Sequence, residues 1–182
     1  MYYIKTDIGK VALIDLNGKE PGGTWDMHKN EYNRFRNVLD RITNDDPVMI
    51  ELGCYWAVWS ILFGKKFPNA TLILNDMDKL KLNIGRANII LNDLECINYL
   101  GKVDRRGNFF SEMISDSNIA KVNLLHMDIQ GAELGLSSYL LSKLEEKFID
   151  NIIVATHSTK IHNTILEIFS DIPGYEIISN IE

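Results

Sequence analysis

The sequence predicts a doubly wound α/β fold with a mostly parallel sheet, preceded by an N-terminal β-hairpin and helix. Three observations carry the prediction. From Val48 onward, short apolar runs alternate with stretches of helical periodicity, the pattern of parallel strands joined by crossover helices. The run VMIELGCYWAVWSI, Val48 to Ile61, reads as a buried strand (Val48 to Leu52), a tight turn at Gly53 and a helix starting near Tyr55 or Trp56. A second apolar run, Thr71 to Leu74, ends in Asn75-Asp76-Met77-Asp78, so acids gather where strands give way to helices.

Taken in order, Tyr2 to Ile4 and Val11 to Ile14 make a hairpin turning near Ile8-Gly9. Asn17 to Gly23, dense in Gly and Pro, is a loop. A polar helix over His28 to Ile42 sets Tyr32, Phe35, Val38, Leu39 and Ile42 on one face. The helix after Gly53 carries Trp56, Trp59, Leu62 and Phe63 and stops before Pro68. Strand two is followed by a helix from Asp78 to Leu91, with Asp78 as its N-cap. A third strand, Cys96 to Leu100, leads to the polar turn Gly101 to Gly107 and a weak helix or loop over Phe109 to Ala120. Strand four, Val122 to Met127, ends at Asp128, and a helix runs from Ala132 to Lys147. Strand five, Asn151 to Thr156, ends at His157. A helix from Ile161 to Phe169 then leads to a sixth strand, Tyr175 to Ile178.

The 182 residues are expected to form one domain, with residues 1–46 as the hairpin and helix and residues 47–182 as the core. Net charge is −6 and no Lys/Arg run exceeds two residues, which argues against a nucleic-acid partner because phosphate neutralisation needs clustered positive charge. Two cysteines, Cys54 and Cys96, are too few for a disulfide framework or a four-cysteine metal site and point to a reducing compartment. The N-terminus has no signal-peptide pattern and no window approaches a membrane span, so a cytoplasmic protein without a membrane partner is expected.

In a doubly wound sheet, ligands bind beyond the carboxyl ends of the strands, where backbone N–H groups and a helix N-terminus converge. A dinucleotide site needs G-x-G-x-x-G for the pyrophosphate; here the turn is Gly53-Cys54-Tyr55-Trp56-Ala57, with one glycine and two bulky aromatics. A ligand without a pyrophosphate, such as S-adenosylmethionine, tolerates that turn. Asp76, at the end of strand two, is placed to accept hydrogen bonds from ribose hydroxyls, although a helix-start acid is an alternative role that Asp78 fits better. The expected cofactor contacts are Glu51, Gly53, Cys54, Tyr55, Trp56, Ala57, Asp76, Met77, Asp104 and Asp128.

Over roughly residues 24 to 175 the chain resembles the FkbM-type S-adenosylmethionine-dependent methyltransferases, which have a Rossmann-like fold. Glu51 to Ser60 is similar to the family's D-x-G-A-N-x-G-Y-x-S turn, with Tyr55 at the Asn and Ala57 at the second Gly. Asp76-Met77-Asp78 and Asn88-Ile89-Ile90-Leu91-Asn92 resemble its E-P-D and N-I-x-L-N pieces, and Asp104 to Gly107 its D-x-x-G turn. His126 to Glu133 resembles K-x-D-x-E-G-A-E, with His126 at the Lys and Gln130 at the first Glu. Gly23-Thr24-Trp25-Asp26 matches a Gly-x-Trp-acid stretch. The resemblance implies methyl transfer to an oxygen of a small metabolite or saccharide.

Methyl transfer from a sulfonium needs orientation above all, and a hydroxyl acceptor gains from a base. Asp128 at the end of strand four is the first candidate for base or orienting group, with helix capping as its alternative role. His157 at the end of strand five is the second, and Glu133, in the same motif as Asp128, the third. His126, Asp128 and His157 could ligate a metal, but no spacing demands one, and none is expected. Trp25 and Tyr55 could stack on adenine or pack the core. Competing readings are a catalytically degenerate methyltransferase fold that binds a partner or ligand, motivated by Tyr55 and Ala57, and a nucleotide-dependent oxidoreductase. The acceptor would be set by loops such as Asn17 to Lys29, and the oligomeric state is open.

Overall fold

The computed structural model describes residues 2–14 and 29–180. Two short strands, β1 (Tyr2–Lys5) and β2 (Lys10–Leu13), pair antiparallel, and Thr6 N–H donates to Gly9 O (3.0 Å) to close the turn between them. Helix α1 (Lys29–Leu39) follows, burying Tyr32, Phe35, Val38 and Leu39 as its periodicity predicts. The Gly-rich loop before it, the Gly23 to Asp26 stretch and His28 lie outside the described residues.

The core then alternates β3 (Val48–Leu52), α2 (Val58–Lys66), β4 (Thr71–Asp76), α3 (Lys79–Leu91), β5 (Ile97–Leu100), α4 (Asn108–Asp116), β6 (Leu124–Met127), α5 (Glu133–Glu145), β7 (Ile152–Val154) and α6 (Thr159–Phe169). The sheet order is β5-β4-β3-β6-β7, every pair parallel. The chain runs outward from β3 through β4 to β5, then returns to the other side of β3 as β6. The switch point therefore lies between β3 and β6.

Strand residues alternate between two cores. Met49, Leu72, Leu74 and Leu124 pack with α1, α2 and α3 on one face. Ile50, Leu52, Ile73, Leu125 and Met127 pack with α4 and α5 on the other. Burial on both faces explains why these strands read as continuous apolar runs. The N-terminal hairpin is tied to this framework by two side chains, one from α3 and one from its C-cap. Asn92 accepts from Ala12 N–H (2.9 Å) and donates to Ala12 O (2.6 Å), while Asn88 accepts from Ile14 N–H (2.8 Å) and donates to Trp56 O (3.1 Å). The asparagines of the Asn88 to Asn92 motif thus do the work of strand neighbours for β2.

Three expectations need correction. Tyr175 to Ile178 forms no strand. The edge strand β7 is only three half-buried residues long, and the Tyr175 hydroxyl donates instead to Ile149 O, ahead of that strand. Ile177 and Ile178 remain 49% and 40% exposed, so β-branched propensity finds no ladder to join. The helix after Gly53 begins at Val58, because Tyr55 (φ 37°) and Ala57 (φ 54°) are left-handed and cannot be helical. The stretch from Phe109, read as weak helix or loop, is a regular helix that starts at Asn108 and buries Phe110 and Met113.

Candidate functional site

The carboxyl ends of β4, β3 and β6 lie side by side, and the turn after β3 is stitched to both neighbours. Gly53 and Cys54 N–H both donate to Asn75 O (2.9 and 3.0 Å), and Asp128 N–H donates to Leu52 O (2.9 Å). Gly53 (φ 78°) is required, since a Cβ there would lie 1.8 Å from Asp128 O. Asp76 flanks the turn on one side, accepting from Tyr55 N–H (3.3 Å) and Asp78 N–H (2.9 Å). Asp128 flanks it on the other. Behind the turn, α3 closes in so tightly that a Cβ on Gly85 would sit 2.8 Å from Tyr55 O.

Glu51 is the most unusual group of this cluster. It is 2% exposed and accepts hydrogen bonds from the Ser60 hydroxyl and from Ser60 N–H (3.0 Å). Burial pushes its carboxyl up to about 8, against the pull of those two bonds, and the charge of Asp128 raises it further. Cys54, expected among the cofactor contacts, is buried and its thiol is driven up by desolvation, so it serves as a small apolar filler. Tyr55 and Trp56 pack against each other, ring centroids 4.9 Å apart, and Trp56 Nε1 is buried without a hydrogen-bond partner among the described residues. At the β4 and β5 end, Met77, Leu80 and Leu100 are 69%, 68% and 50% exposed, an apolar margin next to Asp76. Leu80 and Leu100 were not singled out in the sequence; exposed leucines have no signature there.

A second cluster lies at the ends of β6 and β7. Asp128, Gln130 and Glu133 come from the loop into α5, and His157 from the loop after β7. Gln130 Nε2 donates to Asp128 Oδ1 (3.0 Å) and to His157 Nε2 (2.9 Å), which leaves the ring hydrogen on Nδ1, 3.2 Å from Glu133 Oε1. Glu133 is fully buried, and the same Oε1 accepts from Ile129 N–H and Gly131 N–H (both 3.1 Å). Two residues before α5, Gln130 (φ 55°) and Gly131 (φ 96°) are left-handed, and this bend folds Glu133 back under His157.

The three expected catalytic residues are therefore brought together. Asp128 does not cap α5, whose N-cap Ala132 makes no side-chain hydrogen bond. Asp104 is directed elsewhere: its carboxyl accepts from Arg106 N–H (2.8 Å) and Phe109 N–H (2.9 Å), shaping the turn into α4. His126 stands apart from the Asp128 cluster too. Its ring lies 5.7 Å from that of Trp59, its Nδ1 is buried without a partner among the described residues, and burial lowers its pKa to about 4. Met77 is at the surface and Trp25 is outside the described residues. A cavity of about 980 Å³ opens among Glu51, Gly53, Trp56, Trp59, His126 and Asp128 and extends along β7.

No protein-family model matches the sequence, and no curated protein matches it. Solved structures do. The chain is 11% identical to the N-terminal domain of human METTL16 in complex with SAH, covering 87% of this chain and 66% of that one with a TM-score of 0.58. It is 14% identical to precorrin-6y C5,15-methyltransferase from Geobacter metallireducens GS-15, covering 75% and 68% at 0.52. It is 15% identical to ribosomal protein L11 methylase from Lactobacillus delbrueckii subsp. bulgaricus, covering 76% and 66% at 0.53. The chain thus spans about two-thirds of the length of each. The five-stranded parallel sheet with its flanking helices is the Rossmann-like α/β fold of methyltransferases. Among the described residues, no helix is long and apolar enough to cross a membrane.

Proposed function

We propose that the chain is an S-adenosylmethionine-dependent methyltransferase, of the FkbM type, that methylates an oxygen of a small molecule or saccharide. The observation that carries this reading is the convergence of Glu51, Asp76 and Asp128 around the strained turn from Gly53 to Ala57, at the carboxyl ends of β3, β4 and β6. The residues fit such a cofactor. Glu51 is a desolvated acid with no cation beside it among the described residues, and the cofactor brings an ammonium and a sulfonium. Asp76 has lone pairs beyond the two it gives to backbone N–H groups, suited to ribose hydroxyls. The apolar margin of Met77, Leu80 and Leu100 suits a purine face.

When bound, the cofactor supplies an electrophilic methyl group on sulfur. The chain's part is to hold and orient. Asp128 and His157 lie where an acceptor hydroxyl would approach and can take its proton, a contribution worth about 10²–10⁴-fold. Glu133, with its oxygen on His157 Nδ1, fixes the ring so that Nε2 faces the acceptor side. The oxygen acceptor rests on motif resemblance alone. The similar folds differ in acceptor by their own names, a precorrin in one and a ribosomal protein in another.

A second reading, a degenerate fold that binds a partner, is favoured by one feature: both Gly53 and Cys54 N–H are spent on Asn75 O. Methyl transfer from labelled S-adenosylmethionine to a panel of hydroxylated acceptors, with structured RNA as a further arm, separates the readings. Labelled small-molecule or saccharide product supports the proposal. Labelled RNA replaces the acceptor, and cofactor binding without any product supports the degenerate reading.

A further inference from the structure

We propose that Gln130 is a positioning residue that gates the base: its side-chain amide holds His157 Nε2 closed, and an acceptor must take the amide's place. The chemistry of the side chains fixes which atom stands where. The Asp128 carboxylate can only accept, so the Gln130 amide turns its nitrogen to Oδ1, 3.0 Å away. The same nitrogen lies 2.9 Å from His157 Nε2 and gives it the second amide hydrogen. The ring keeps its own hydrogen on Nδ1, 3.2 Å from Glu133 Oε1. Asp128 Oδ1 and His157 Nε2 face each other at 3.2 Å, two acceptors that the amide reconciles.

Three features make the amide a gate and not a fixture. Gln130 and Asp128 line the cavity beside the turn and His157 does not, so an acceptor coming from the cavity meets the amide before Nε2. Gln130 is exposed, and among the described residues its amide oxygen meets no donor, so two bonds are all that hold the side chain. Its backbone is left-handed (φ 55°), a conformation uncommon outside glycine, and strain of that kind gathers where a side chain has a task.

An acceptor that brings its own O–H to Nε2 replaces the donor that the amide supplied, and the freed amide turns to solvent. Nε2 is then the atom placed to take the acceptor's proton. That use rests on the methyltransferase reading; the closed state of Nε2 does not.

The test reads Nε2 without turnover, on the full chain at mildly alkaline pH, where imidazole is unprotonated. Nitrogen NMR should show the His157 ring hydrogen on Nδ1. A hydrogen on Nε2 overturns the proposal, because the amide could not then donate there. Acylation by diethyl pyrocarbonate, followed residue by residue with mass spectrometry, is the second reading. A neutral hydrogen bond keeps Nε2 closed by about two- to tenfold, so His157 should react faster by about that factor in Gln130→Gly. Glycine suits the left-handed φ; should that variant not fold, Gln130→Asn, whose amide is one methylene short, replaces it. His162, whose ring nitrogens meet Thr156 Oγ1 (3.1 Å) and Asn180 Oδ1 (2.5 Å), is the internal reference and should keep its rate. An unchanged His157 rate overturns the proposal. For a hydroxylated acceptor that the chain labels, Gln130→Gly should lower KM by about the same two- to tenfold and spare kcat, since the amide no longer competes. A raised KM overturns the gate. Faster acylation of His157 in Gln130→Gly, with no methyl transfer by any chain, keeps the closed Nε2 and sinks the methyltransferase reading.

Discussion

Gly53 and Asp128 approach so closely that the carbonyl oxygen of Asp128 occupies the space a Cβ on Gly53 would need, 1.8 Å from it. The contact fixes the distance between the turn after β3 and the loop after β6, the two segments that hold the proposed cofactor and the proposed base. Gly53→Ala must therefore push the two apart and also adopt a left-handed φ that costs roughly 1–2 kcal/mol by itself. Urea unfolding should show a loss of more than about 2 kcal/mol. A loss under about 0.5 kcal/mol would mean that the turn can relax away from Asp128.

Glu51 and His126 make stability depend on pH in opposite senses. Glu51 holds its proton to about 8 against 4.5 unfolded, so the folded chain carries an extra proton over that range and stability falls as pH rises. His126, lowered to about 4 from 6.5 by burial, binds its proton less readily when folded, so stability falls as pH drops through that range. The two offset each other between 4.5 and 6.5, and above 6.5 Glu51 acts alone. Thermal unfolding should show Tm declining from pH 6.5 to 8, as stability falls by at most roughly 1.4 kcal/mol per pH unit. The decline should be absent in Glu51→Gln; if it persists there, another group carries the proton.

Glu133 ties down two backbone N–H groups and His157 with one oxygen. Glu133→Ala leaves the part-buried N–H groups of Ile129 and Gly131 without their acceptor and should destabilise the chain by about 1–3 kcal/mol. Glu133→Gln retains an acceptor oxygen and should largely fold, but lower turnover while leaving cofactor affinity within about twofold. Equal turnover in Glu133→Gln and the unaltered enzyme would remove Glu133 from the orientation of His157.

The strands and their acids were legible because burial on both faces writes apolar runs, and an acid that ends such a run stands out. Glu51, Asp76 and Asp128 were found in that way. What the sequence hid depends on contacts across the sheet. Nothing local announces left-handed Tyr55 and Ala57; they are held by the approach of Gly85 to Tyr55 O and by the bond from Asn88 to Trp56 O. His126 and Asp128 are two residues apart in the chain, but β6 ends at Met127, so Asp128 leaves the strand while His126 turns to Trp59. Glu133, a candidate base, stands in the first turn of α5 and is drawn under His157 by the bend at Gln130 and Gly131.

Asp128→Asn and His157→Gln should separate binding from chemistry. Either change is expected to cut turnover by about 10²-fold or more while cofactor affinity changes little. A pH–rate profile in each variant locates the proton acceptor: the variant that loses the rising limb has lost it. If turnover survives both changes, the acceptor is deprotonated elsewhere.

The central claim is that the turn between Asp76 and Asp128 holds S-adenosylmethionine. Isothermal titration of the full chain with that cofactor, beside Asp76→Ala verified as folded by circular dichroism, tests it most directly. The account predicts saturable binding by the unaltered chain, weakened by about 1.5–3 kcal/mol, or roughly 10- to 150-fold, when Asp76 is removed. No binding by the unaltered chain at millimolar cofactor, or equal affinity in Asp76→Ala, would contradict it.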